Sequence, residues 1–62
     1  MKVHLRGINQ DYLYFVEEAP INPAEGLPSK GHKIIFDGRK YLVIDVVWFI
    51  DKNSIILEVK EI

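Results

Sequence analysis

The stretch KYLVIDVVWFIDKN, residues 40–53, constrains the fold more than any other part of the chain. A strand with one wet face alternates apolar and polar side chains, because successive side chains point to opposite faces. Here residues 41–44 and 46–50 are apolar without a gap, and only Asp45 interrupts them. In a regular strand Leu42, Ile44, Val46, Trp48 and Ile50 share one face, and Tyr41, Val43, Asp45, Val47 and Phe49 the other. Both faces are then largely apolar. A β-bulge at Ile44 and Asp45 changes this, since one extra residue shifts the phase of everything beyond it. Tyr41, Val43, Val46, Trp48 and Ile50 then point inward, and Leu42, Val47 and Phe49 outward. The bulge also places the one midstrand charge at the irregularity and supplies the bend that a small barrel needs. In this arrangement Trp48 is a core anchor.

Four further strands surround this one. Residues 2–6 (KVHLR) alternate, with Val3 and Leu5 on one face and Lys2, His4 and Arg6 on the other. GINQD, residues 7–11, reads as a turn leading into an aromatic and β-branched second strand at residues 12–18. A third strand covers residues 32–36. Asp37 and Gly38 then form a two-residue hairpin turn, because both tolerate positive φ. Residues 51–54 are the next turn, and residues 55–61 a fifth strand with Ile55, Leu57 and Val59 on one face and Glu58 and Lys60 outside. Between the second and third strands, residues 19–31 carry Pro20, Pro23, Pro28, Gly26 and Gly31. Proline cannot donate to a ladder, so this is a loop. It is long for so small a domain, as functional or mobile loops are. Within it, NPAEG suits one helical turn, with Asn22 as N-cap and Pro23 at the first helical position.

The chain has 62 residues, which allows one domain over residues 1–62. A domain this short buries only roughly 60% of its unfolded surface and usually draws on disulfides, a metal or oligomerisation. There is no cysteine, and the two histidines are far apart. A structural zinc site needs four ligands, so neither a metal nor a cofactor is expected. A well-packed core or self-association remains. The composition is 48% hydrophobic with net charge -1, which points to a soluble globular chain. No apolar run approaches the roughly 18–20 residues of a membrane span. With strand-like sequence from the first residues, no signal peptide is expected, and a cytoplasmic location is the expectation for a cysteine-free chain.

GHKIIFDGRKYLVIDVVWFID, residues 31–51, resembles a pattern of glycines, tyrosine, valines and tryptophan found in small SH3-like barrel proteins, many of them encoded by bacteriophages. Gly31, Gly38, Tyr41, Val43, Val46 and Trp48 carry the resemblance, which spans a third to a half of the chain. It agrees with the fold class read from the residues: all-β, a five-stranded SH3-like barrel with one long Pro-rich loop. It implies an accessory or host-interaction role in a phage, acting in the host cytoplasm.

Catalytic signatures are missing. There is no G-x-S-x-G, no glycine-rich phosphate loop ending in Lys-Ser or Lys-Thr, and no H-E-x-x-H, so an enzyme is not expected. Asp37, Asp45 and Asp51 offer carboxylates, but Asp37 and Asp51 fall in turns. His4, His32, Glu17 and Glu18 read as solvated. Two binding surfaces stand out. Leu42, Val47 and Phe49, joined by Tyr14 and Ile56, form an outward apolar set, and a contiguous apolar patch marks an interaction surface. Its simplest occupant is a second copy of the chain related by two-fold symmetry, and a foreign protein is the other. Lys30, Lys33, Arg39 and Lys40 cluster about the third strand, with Tyr12 as a stacking plane, and suit a small anionic ligand such as a nucleotide. Nine acidic residues against eight basic ones disfavour long nucleic acid. The expected function is a non-enzymatic interaction module. The alternative is an oligomeric phage anti-defence protein that sequesters a small nucleotide or other anion.

Overall fold

Asp37 and Gly38 adopt φ of 53° and 78°, the left-handed pair of a tight hairpin turn whose twist matches its strands. This turn joins β3 (Lys33–Phe36) to β4 (Arg39–Phe49). The other strands are β1 (Lys2–Asn9), β2 (Tyr12–Ala19) and β5 (Ser54–Glu61). The computed structural model describes residues 1–9 and 12–62, without the side chains of Asn9, Tyr12 and Tyr14. Its five strands form one sheet in the order β2-β1-β5-β4-β3, curled into a half-barrel. The fold is all-β, as the residues indicate. Neighbours are antiparallel except β1 and β5, which run parallel at the centre.

The concave face holds the core. Val3, Leu5, Ala19, Tyr41, Val43, Ile55, Leu57 and Val59 are 0–5% exposed. Register explains why they meet. Val3 lies opposite Ile55 and Leu5 opposite Leu57 across the parallel pair, and Val43 lies opposite Val59 across β4 and β5. The alternation visible in β1 and β5 thus becomes a continuous aliphatic layer.

The bulge in β4 is present. Val43 faces Val59 and Asp45 faces Glu58, so Ile44 is the extra residue. The Asp45 carboxylate accepts a hydrogen bond from the Val46 N–H at 2.9 Å. A charged side chain at the irregularity therefore satisfies a backbone donor that the disrupted ladder exposes.

Three expectations need correction. Trp48 keeps the inward phase of Val46 and lies opposite Ile55, but it is 52% exposed and is no core anchor. β3 is only four residues long and pairs with residues 39–42, so on the side away from β5 no strand among the described residues flanks the far end of β4 to help cover it. Ile50 is not inward either. It opens a 3-10 turn, Ile50–Lys52, and is 74% exposed. Gly7 is not a turn residue. β1 runs on to Asn9, and Gly7 lies opposite Phe15. A Cβ at residue 7 would overlap the Phe15 ring, so glycine here makes room for an aromatic side chain crossing from the next strand.

The proline-rich loop leaves β2 at one sheet edge and enters β3 at the other, passing over the concave face. Asn22 caps the 3-10 turn Pro23–Glu25 by accepting from the Ala24 N–H at 3.1 Å, as expected. Ile21 and Leu27 pack against the core. The loop then joins β4 through two 2.9 Å bonds, from the Gly31 N–H to the Val43 carbonyl and from the Val43 N–H to the His32 carbonyl. Its few backbone bonds to the sheet were legible in the sequence; its role as the cover of the half-barrel was not. Among the described residues, no helix is long and apolar enough to cross a membrane.

Candidate functional site

Strand alternation sends the remaining side chains to the convex face, and register orders them into rows. Val47 lies opposite Ile56, and Ile56 opposite His4. One row further toward the end of β4, Phe49 lies opposite Ser54. Val47, Phe49 and Ile56 are therefore neighbours and half-buried. Three of the five residues expected at an interface are brought together. Leu42 shares the face but stands apart, because the row of Asp45, Glu58 and Arg6 separates it from Val47. The Tyr14 side chain lies outside the described residues.

That separating row is polar. Glu58 sits between Asp45 on β4 and Arg6 on β1, and Arg6 and Glu58 form a part-buried ion pair. The guanidinium offsets the repulsion that two facing carboxylates would otherwise suffer.

The expected cationic cluster is split by the same parity. Lys33 lies opposite Leu42, which lies opposite Lys60, and Lys40 lies opposite Ile35 in the next row. Lys33, Lys40 and Lys60 thus surround Leu42 on the convex face. Arg39 points the other way, opposite Phe36, and bonds Glu61 at 3.3 Å. Lys30 is exposed in the loop, and the Tyr12 side chain is outside the described residues. Lys60 was missed from sequence. Its outward position in β5 was legible, but its pairing with Leu42 depends on the β4–β5 register.

A shallow cleft of about 200 Å³ opens between β2 and β3, lined by Phe15, Glu17, Phe36, Asp37, Arg39 and Tyr41. The Phe15 and Tyr41 rings meet there at 5.6 Å between centroids, tilted by 57°. Its volume is below the roughly 300–1,000 Å³ of small-molecule sites, and its rim carries both signs of charge. The cleft was not legible in sequence, because its walls come from opposite edges of the sheet.

The fourth strand supplies the most distinctive surface. Beyond Val43, the side of β4 facing away from β5 has no strand partner among the described residues. Trp48 and Ile50 stand exposed beside that open edge, and Val47 and Phe49 continue the apolar surface onto the convex face. Among the described residues, no three His, Cys, Asp or Glu side chains converge as a metal-binding group. In comparison with known proteins, the chain matches no family model, no curated protein and no solved structure.

Proposed function

We propose that this chain is a non-enzymatic interaction module whose far end of β4 is its protein-binding surface. One observation carries the reading: Trp48 and Ile50 are 52% and 74% exposed beside a backbone edge that has no strand partner among the described residues. Exposed aromatic and branched side chains in a contiguous patch favour association, because water leaves apolar area on both partners. Tryptophan is also the residue type most enriched where interfaces concentrate their energy. The resemblance of residues 31–51 to small SH3-like barrel proteins is what supports reading the chain as a phage-encoded accessory protein working in a host cytoplasm.

The test uses Trp48→Ser and Phe49→Lys. Both should leave the chain folded, judged by NMR dispersion, and abolish binding of any protein that wild type retains. Undiminished binding by both folded variants refutes the reading. A second reading rests on Lys33, Lys40 and Lys60, which share the convex face around Leu42. Three ammonium groups suit a diphosphate or nucleotide. Titration with pyrophosphate should shift amide signals of β3 and the β4–β5 pair near Leu42, and Lys60→Glu should remove the effect. Unchanged spectra at millimolar pyrophosphate dispose of this second reading.

A further inference from the structure

The apolar run of the fourth strand has a feature that a generic binding patch does not explain: it continues past the end of β3, apolar on both faces beside an open backbone edge. Where β3 covers β4, at residues 39–42, the exposed positions are Arg39 and Lys40. Where β3 has ended, residues 46–50 read Val-Val-Trp-Phe-Ile with no polar position at all. A near-continuous apolar run is the pattern of a strand covered on both faces. Edge strands normally carry charges or proline as protection, and this segment has neither.

Resting on the interaction-module reading, we infer that the occupant of this edge is a second copy of the chain, paired antiparallel strand to strand through β4 about a two-fold axis at Trp48. The register follows from parity. With Trp48 opposite Trp48 of the second copy, Val47 meets Phe49 on the convex face, and Ile50, at the start of the 3-10 turn, lies beside Val46 at the end of the ladder. Every ladder pair from 47 to 49 is then apolar, in both directions, and Asp51 leaves the strand in the 3-10 turn instead of continuing opposite Asp45. Moving the axis to Val47 would place Asp45 against Phe49, which leaves a carboxylate beside an aromatic ring. The Trp48-centred register joins two half-barrels into one continuous ten-stranded sheet and converts both open edges into ladders.

Area sets the strength. Trp48 is about half exposed and Ile50 about three-quarters. With the half-buried Val46, Val47 and Phe49, each copy offers on the order of 400 Å² of apolar surface, scaled from the roughly 250 Å² of a whole tryptophan. A standard stable interface takes roughly 800 Å² per partner. The dimer is accordingly of the weak class, dissociating in the micromolar range.

The chain tests this without labelling, because Trp48 is its only tryptophan. Wild-type emission should shift to the blue with rising concentration, with a midpoint between about 1 and 100 μM, in step with a change from monomer to dimer in sedimentation. The absence of cysteine gives a second readout. Residues opposite each other in an antiparallel pair have Cα atoms roughly 4.5–5.5 Å apart, within the range a disulfide spans. Trp48→Cys should therefore oxidise to a covalent dimer at least tenfold faster than Ile35→Cys. Ile35 is 73% exposed on the β3 edge, so its thiol would be at least as accessible. Emission independent of concentration up to 500 μM, together with equal oxidation of the two variants, overturns the pairing. A foreign protein lost on Trp48→Ser would then still support the module reading, so the two failures are distinguishable.

Discussion

Replacing Gly7 by alanine isolates the contact that holds β2 against the core. Gly7 is buried opposite Phe15, and a Cβ there overlaps the Phe15 ring. The ring must swing out, since strand backbone is pinned on both sides by β2 and β5. Swinging out forfeits the tilted contact with Tyr41, about 0.5–1.5 kcal/mol. It also exposes part of the phenyl group, about 1–1.5 kcal/mol of the transfer value. Alanine recovers about 0.5–1 kcal/mol because glycine loses more backbone freedom on folding. The net is a loss of roughly 0.5–2.5 kcal/mol. For a domain near 60 residues this lowers the melting temperature by roughly 2–20 °C. Thermal melts followed by circular dichroism at 5 μM would measure it. The control is the same substitution beside Phe15→Leu, where the ring is gone. There Gly7→Ala should be neutral or slightly stabilising, giving a coupling above about 1 kcal/mol. A Gly7→Ala protein as stable as wild type, or an equal loss in both backgrounds, refutes the argument.

Core and rim should respond oppositely to truncation: Leu57→Ala should cost about 2–5 kcal/mol and leave the chain largely unfolded, whereas Trp48→Ser at low micromolar concentration should cost under about 1 kcal/mol. Circular dichroism melts of the two variants decide it, and similar losses would return Trp48 to the core. Asp45→Ala should lower stability in urea by about 0.5–1.5 kcal/mol, because the Val46 N–H loses its acceptor at the bulge, and Asp45→Asn should restore most of that. Leu27→Ser should lower the unfolding free energy by about 1–2 kcal/mol by uncovering the concave face. In wild type, the loop amides of residues 24–30 should exchange with deuterium faster than those of β5, a contrast that hydrogen exchange read by NMR would check.

Much of the fold was legible because its signals are local. The Asp37-Gly38 turn, the Asn22 cap and the alternation of Val3 and Leu5 or Ile55, Leu57 and Val59 each depend on a few adjacent residues. The bulge was legible for a related reason: an apolar run too long for one face, broken by one carboxylate, has few other solutions. Gly7 misled because glycine signals a turn or a close approach equally well, and only Phe15 on the neighbouring strand distinguishes them. Trp48 misled because phase alone was readable. The inward phase is there, but burial requires something to cover the side chain, and β3 is too short to do so. The candidate surfaces divide the same way. Val47 and Phe49 share a face by alternation within one strand, while their contact with Ile56 and the grouping of Lys60 with Lys33 depend on register across strands. The parallel pairing of β1 with β5 was also beyond local pattern, since it joins the two ends of the chain through the hydrophobic layer they share. The sequence by itself determined which residues turn, cap, bulge and alternate. The tertiary structure alone decided which edge is open, and so where apolar side chains are left facing water.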